Sequence, residues 1–257
     1  MASYMRSSYA WALTGVFAAI HFVVTLLPFS LSVSGTGVIS FGMISSVIVG
    51  FLLGPLYGTL AVLLGSFLGM FADPALMVIG LATPIATAAG ALSAGLIRVK
   101  KPVYVIAIYL LAMIIYLAGP IGTLVPEFLW FHIIVIYLAL ILYIPYTESR
   151  IYSEIDFSHR ASTRALFLLA LVAVCIDQAV GSAIGAVYLV YVVGLSTSTV
   201  AGFWSAVTFV YPVERLIGAL IAAVILAALT ESISSGYFQL PGMRTEEDNY
   251  QEMEPIQ

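Results

Sequence analysis

Residues 50–69, GFLLGPLYGTLAVLLGSFLG, form a twenty-residue stretch with no charged side chain and five glycines. In water, a glycine weakens a helix by about 1 kcal/mol relative to alanine. In a lipid bilayer the hydrophobic drive between helices is weak, and small residues stabilise the contact by letting two backbones approach closely. The stretch therefore predicts closely packed transmembrane helices.

The composition of the whole chain supports this interpretation. Of its 257 residues, 62% are hydrophobic and only 9% are charged, with a mean hydropathy of +1.10, whereas a soluble domain carries roughly 25% charged residues. A soluble core cannot bury so much apolar surface. We therefore predict an all-α fold, a polytopic transmembrane helical bundle with residues 1–235 as one domain. Residues 236–257 form an acidic tail that predicts a solvated, disordered cytoplasmic end.

Eight segments meet or approach the length of about 20 apolar residues that a spanning helix needs. The second and third segments are short and meet at Gly54-Pro55, a sequence that breaks a helix and makes a tight turn. We therefore predict a hairpin at this point. The eight predicted spans are Tyr9–Phe29, Phe41–Gly54, Leu56–Phe71, Leu76–Ile97, Pro102–Ala118, Phe128–Tyr146, Ala165–Val193 and Phe203–Leu229.

The distribution of Lys and Arg supports an even number of spans, because these residues favour cytoplasmic loops. If the N-terminus is cytoplasmic, every Lys and Arg outside the spans falls on the cytoplasmic side. The loops on the opposite side contain neither residue: 30–40, 72–75, 119–127 and 194–202. Joining spans two and three would move the cluster of Arg98, Lys100 and Lys101 to that opposite side. We therefore predict a multi-pass protein of the cell membrane with both termini in the cytoplasm.

Small residues recur at helical spacing in two sets, and each set predicts one small face of a helix. The sets are Gly50, Gly54 and Gly58, and Ala82, Ala86, Gly90 and Ala94. Such a face fits either close packing within the chain or the docking of a partner membrane protein. Residues 102–146 are bulky in comparison, and we expect this pair of helices to face lipid.

Ionisable residues inside a membrane are costly, and they are usually paired or functional. Asp177 lies near the middle of the seventh span, and Glu214 and Arg215 lie in the eighth. Together with Gln178, these three are candidate residues of a solute pocket, and Asp177 with Arg215 is a candidate interhelical pair. The same four residues also fit a second interpretation, in which they only hold the helices together.

The sequence lacks the motifs that are typical of several functional classes. It contains no phosphate-binding Gly-x-x-x-x-Gly-Lys-Ser/Thr loop and no paired histidines at metal-binding spacing. His21 and His132 are lone histidines on apolar helices, which predicts that each is bonded to a neighbour. Basic residues are too few for nucleic-acid binding. We expect no enzyme, no cofactor, no metal site and no nucleic-acid partner.

The order of features in residues 9–98 and 165–230 is similar to that of a known family. An N-terminal helix, WALTGVFAAIHFVVTLLPFSL, carries Gly15 and Ala19 one turn apart. An uncharged loop, SVSGTGVIS, comes next, then GFLLGPLYGTLAVLLGSFLGMFADP and a small-residue helix that ends in a basic cluster. The last span carries YPVERLIGALIAAV. In these features the chain resembles the substrate-binding S component of energy-coupling factor (ECF) vitamin transporters.

The resemblance implies a compact helical bundle that captures a vitamin or similar small molecule near its outer face. It also implies that a separate transmembrane coupling protein and two ATPase chains drive the bundle to topple in the bilayer. Gly15 and Ala19 would then dock on the coupling protein, and the loop 30–40 would gate the pocket. The family usually has six spans, so the surplus pair is assigned to residues 102–146.

A second class of function remains open from the sequence. A membrane subunit or conduit of a secretion or DNA-transfer complex would also be rich in apolar helices, and it would bind no solute. A membrane enzyme is a third class, although the long cytoplasmic loop TESRIYSEIDFSHRASTR has no metal-ligand spacing.

Overall fold

The computed structural model describes residues 2–27, 30–31, 39–141 and 161–234, and these ranges are predominantly helical. The helices are α1 Ala2–Thr25, α2 Phe41–Ala72, α3 Thr83–Arg98, α4 Pro102–Ala118, α5 Trp130–Ile141, α6 Thr163–Val187, α7 Thr197–Val207 and α8 Tyr211–Ser232. Three short strands accompany them: β1 Ser30–Leu31, β2 Ile39–Ser40 and β3 Val78–Leu81.

Five of these helical segments are long and apolar enough to cross a membrane: Ser8–Thr25, Phe41–Ala72, Gly80–Arg98, Thr163–Val192 and Tyr211–Ser232. Helices α4 and α5 belong to two shorter apolar segments. The fold is therefore that of a multi-pass membrane bundle, as the composition predicts. The full number of eight spans remains a prediction.

Helix α2 reverses its direction at Gly54, as the Gly-Pro sequence predicts. Gly54 has φ 81° and ψ −178°, a left-handed conformation that glycine adopts without steric cost. Pro55 follows at the first position of the second arm, where its missing N–H costs nothing. The two arms are residues 41–53 and 55–72.

A buried histidine shows that the two arms of α2 lie side by side. His21 Nδ1 is 2.6 Å from Ser45 Oγ in the first arm, and His21 Nε2 is 2.8 Å from Ser66 Oγ in the second. In one straight helix, 21 residues would separate the two serines by about 32 Å at 1.5 Å per residue. Because one imidazole reaches both hydroxyls, α2 is a hairpin, and α1 packs across its two arms.

Glycines make the close contacts of this hairpin. A Cβ atom on Gly58 would lie 2.7 Å from the Cα of Gly50 in the facing arm. A Cβ atom on Gly95 of α3 would lie 2.5 Å from the backbone nitrogen of Pro55. Gly50 and Gly58 therefore serve close packing within the chain. The prediction that Gly54 shares their face is wrong, because Gly54 forms the turn.

The hairpin turn and the basic cluster lie at the same end of the bundle, as the charge distribution predicts. Arg98 Nη1 donates hydrogen bonds to the carbonyl oxygens of Phe51 at 2.9 Å and Leu52 at 2.6 Å. The last carbonyls of a helix lack partners within that helix, so the guanidinium caps the first arm. We call this end of the bundle the Arg98 end. The opposite end, which holds β3 and α7, is called the Trp204 end.

Helix α6 is at the centre of the bundle. Residues 169–177 are buried on every side, and α3, α4, α5 and α8 pack around this helix. The bulky helices α4 and α5 face outward on one side only. Their inner side buries Tyr109 and His132, whose hydroxyl oxygen and Nδ1 are 2.9 Å apart. His132 also stacks on Tyr211 of α8, with 5.2 Å between ring centroids. Both lone histidines are thus bonded to neighbours.

Two predicted spans are divided in the structure. The span predicted at Phe203–Leu229 belongs to two helices, because α7 ends at Val207 and α8 begins at Tyr211. Pro212 lies in the first turn of α8, where a proline is tolerated. The span predicted at Leu76–Ile97 begins with strand β3, and its helix starts only at Thr83.

Strands β1 and β2 close the base of the loop that the family resemblance assigns to gating. They pair antiparallel, with Ser30 opposite Ser40 and Leu31 opposite Ile39. Residues 32–38 of that loop lie outside the described residues, and so does the acidic tail 236–257.

Candidate functional site

A cavity of about 230 Å³ lies at the Trp204 end, between α6, β3 and α7. Helix α6 contributes one side of the cavity, because residues three and four positions apart on a helix are neighbours on its surface. Gly181 lies on this side, where a built Cβ would come 3.3 Å from the Ala86 side chain, closer than an ordinary contact. The lining residues are Val78, Ile79, Asp177, Gln178, Gly181, Ser182 and Trp204.

Asp177 is the acidic group of this cavity. Its side chain is only 8% exposed, and no described residue forms a hydrogen bond with its carboxylate. A buried charge without a partner is costly, and buried polar groups in proteins are almost always satisfied. The carboxylate therefore lines a cavity in which no described residue supplies a hydrogen-bond donor for it.

Trp204 supplies a second polar atom without a partner. Its indole Nε1 is buried and makes no hydrogen bond to the residues that the structure describes. The benzene part of the ring packs over Gly185, where a built Cβ would lie 3.4 Å from the ring. The cavity thus combines the carboxylate of Asp177, the aromatic side chain of Trp204 and the apolar side chains of Val78 and Ile79.

Gln178 connects the cavity to the charged residues of α8. Its side-chain oxygen accepts a hydrogen bond from Arg215 Nη2, so its amide nitrogen must be the donor. That nitrogen donates to Ser182 Oγ at 3.0 Å, which leaves the serine hydroxyl proton free to point elsewhere. The orientation of Gln178, and with it the polar wall of the cavity, is therefore set by Arg215.

The predicted pair of Asp177 with Arg215 forms no direct ion pair among the described residues, although the charge of the guanidinium still acts on the carboxylate through space. The guanidinium of Arg215 contacts Gln178 and the sulfur of Met43, and its Nε has no partner. Successive residues on a helix point about 100° apart, so Gln178 reaches the guanidinium on α8 while its neighbour Asp177 does not, although both residues line the cavity. The sequence predicts which residues are embedded, but not which of two neighbours faces the guanidinium.

Glu214 is buried without lining the cavity. Its side chain is 4% exposed and its Oε1 has no hydrogen-bond partner. Of the four candidate pocket residues, the structure places Asp177 and Gln178 at the cavity, Arg215 behind Gln178, and Glu214 apart from it.

Gly15 and Ala19 lie on an exposed face of α1. A Cβ atom on Gly15 would meet no other atom within 4 Å. This is the opposite of Gly58 and Gly95, which are enclosed by backbone. The two residues therefore contribute no close packing within the described part of the chain, and their face is open to lipid or to a partner.

Among the cavity residues with polar atoms in their side chains, Trp204 and Ser182 are the two that the sequence did not single out. The signal for Ser182 is its position four residues after Gln178, on the same helical face. Trp204 carries no such signal, because its role depends on how α7 folds back over α6. Among the described residues, no three His, Cys, Asp or Glu side chains come together as metal ligands.

No family model, curated protein or solved structure matches this chain. The functional interpretation therefore depends on the helical bundle, the cavity and the exposed face of α1.

Proposed function

We propose that this chain is the membrane-embedded subunit that captures a vitamin or similar small molecule for uptake. Separate coupling and ATPase subunits supply the energy. The observation that carries the proposal is the cavity at the Trp204 end, where the buried carboxylate of Asp177 forms no hydrogen bond with any described residue. The Lys and Arg distribution predicts that this end faces outward, as capture from outside requires.

The exposed face of α1 supports the second half of the proposal. Gly15 and Ala19 are small and open, and small residues let helices of two membrane proteins approach closely. In the resembled family, a face of this kind docks on the transmembrane coupling protein. The role assigned to the chain is binding and delivery, with no chemical change to the solute.

The first experiment identifies the solute. Native mass spectrometry of gently purified protein should reveal a small molecule that leaves on activation. The Gly181→Leu variant fills the cavity and should lose that molecule. Gly202→Leu makes the same change where a Cβ meets nothing within 4 Å, and it should retain the molecule. A protein that purifies without any solute would favour the alternative of a membrane subunit or conduit in a secretion or DNA-transfer complex.

The second experiment separates capture from delivery. The double variant Gly15→Leu with Ala19→Leu should fold and bind the identified solute normally, while uptake into cells is lost. Uptake is lost because the leucines hold two backbones apart where close approach supplies the association energy. Gly202→Leu again serves as the control and should leave uptake intact. Persistent uptake in the double variant, or loss of solute binding along with uptake, would contradict the docking role of this face.

A further inference from the structure

The membrane-embedded charges near the cavity leave one negative charge in excess. Asp177 and Glu214 are acidic, and Arg215 is basic, so the formal sum is −1. Arg215 directs its hydrogen bond to Gln178 instead of Asp177, which leaves the Asp177 carboxylate free on the cavity side. In a low-dielectric environment such a carboxylate favours a cation as its complement.

The other residues that line the cavity define the shape of the cation that fits it. Val78 and Ile79 are apolar, and Trp204 supplies an aromatic ring. Aromatic rings attract cations that lie near their faces and pack well against flat rings. A cavity of about 230 Å³ is smaller than the 300–1,000 Å³ of typical ligand pockets, so it suits a solute of one ring and one short substituent.

We propose that the cavity takes a small planar cation, whose positive group contacts Asp177 and whose ring lies against Trp204. This inference rests on the proposed capture function and adds the chemical class of the solute. A neutral solute of the same shape would place no positive charge in contact with the buried carboxylate, which the Arg215 guanidinium influences only from its position on Gln178. An anionic solute would be repelled by the carboxylate.

Three probes of nearly equal size test the charge preference: benzamidinium, benzamide and benzoate. Trp204 becomes the only tryptophan when the other two of the three are replaced, as Trp11→Phe and Trp130→Phe. Its fluorescence in the purified full-length protein then reports occupation of the cavity. We expect benzamidinium to bind at least about tenfold more tightly than benzamide, and benzoate to show no saturable binding.

Asp177→Asn keeps the size of the side chain and removes its charge. This variant should bind benzamide as the parent does and should lose the preference for benzamidinium. Because benzamide binding is retained, loss of the preference cannot be attributed to unfolding. Glu127→Gln removes one charge from an exposed residue that does not line the cavity, and it should keep the full preference.

The inference is overturned if benzoate binds as tightly as benzamidinium, if Asp177→Asn keeps the preference, or if none of the three probes binds. Native mass spectrometry tests the capture function separately. A copurified solute that is neutral or anionic would overturn the charge assignment and leave capture standing. A clear benzamidinium preference in a protein that takes up no solute would leave the cavity chemistry standing and remove its transport role.

Discussion

The Gly58→Ala substitution should destabilise the bundle, because the facing arm of the α2 hairpin leaves no room for a methyl group. The new Cβ would lie 2.7 Å from the Cα of Gly50 and 2.8 Å from the carbonyl oxygen of Val49. Carbon atoms in contact prefer about 3.5–4.0 Å, so the two arms must separate by about 1 Å. Both obstructing atoms belong to backbone and cannot move aside by changing a rotamer.

The expected size of the effect follows from overpacking. Forcing an extra carbon into a closely packed site costs about 1–3 kcal/mol. For a chain of this length, each kcal/mol corresponds to a change in Tm of about 2–4 °C, so Tm should fall by about 2–12 °C. Gly15→Ala is the matched control, because its Cβ meets nothing within 4 Å. Alanine also has the higher helix propensity, so this variant should have an unchanged or slightly raised Tm.

The single cysteine supplies the assay. Cys175 is fully buried in α6, so a dye that becomes fluorescent on reacting with a thiol reports unfolding during a thermal ramp in detergent. The reasoning is refuted if Gly58→Ala melts at the temperature of the wild type, or if Gly15→Ala is destabilised equally. Either result would mean that the arms of α2 do not approach at their glycines.

Two further predictions concern topology and the charged residues. Thr123→Cys and Ser196→Cys, each in a cysteine-free background, should react with an impermeant thiol reagent added outside the cell, and labelling only from the cytoplasmic side would reverse the predicted orientation. A double-mutant cycle between Gln178→Ala and Arg215→Ala should give a coupling of about 1–3 kcal/mol in stability, as expected for a hydrogen bond to a charged group. The cycle between Asp177→Ala and Arg215→Ala should give a smaller value, and a larger one would show that Arg215 pairs with the aspartate.

The helical hairpin was predictable because its cause is local. Gly54-Pro55 combines a residue that tolerates a left-handed conformation with one that cannot continue a helix. The one-sided distribution of basic residues leads independently to the same turn. The break between α7 and α8 has a weaker local cause. Pro212 marks the start of α8, but the three residues before Tyr211 contain neither glycine nor proline, so the apolar pattern runs through without interruption.

The cavity was predictable only in part, for a different reason. Asp177 and Gln178 can be found from the sequence because polar residues in a spanning helix are unusual. Trp204 cannot, because tryptophan is common near the ends of membrane helices. Its place at the cavity depends on a tertiary contact between α7 and α6. The hydrogen-bond partner of Arg215 was not predictable for the same reason, since the rotation of α6 about its axis is fixed by packing and not by local sequence.

The close contact between α3 and α6 connects the glycine packing with the cavity. A Cβ on Gly90 of α3 would lie 3.2 Å from the Cβ of Asp177 and 3.2 Å from the carbonyl oxygen of Ala173. At the level of the aspartate, these two helices are thus so close that a side chain on Gly90 would crowd α6. Because β3 leads directly into α3, this closeness also holds Ile79 over the polar face of α6 and closes that wall of the cavity. Small residues therefore do more than hold the bundle together. They also bring an apolar wall close to the buried carboxylate, so that the space between the two suits one small ring.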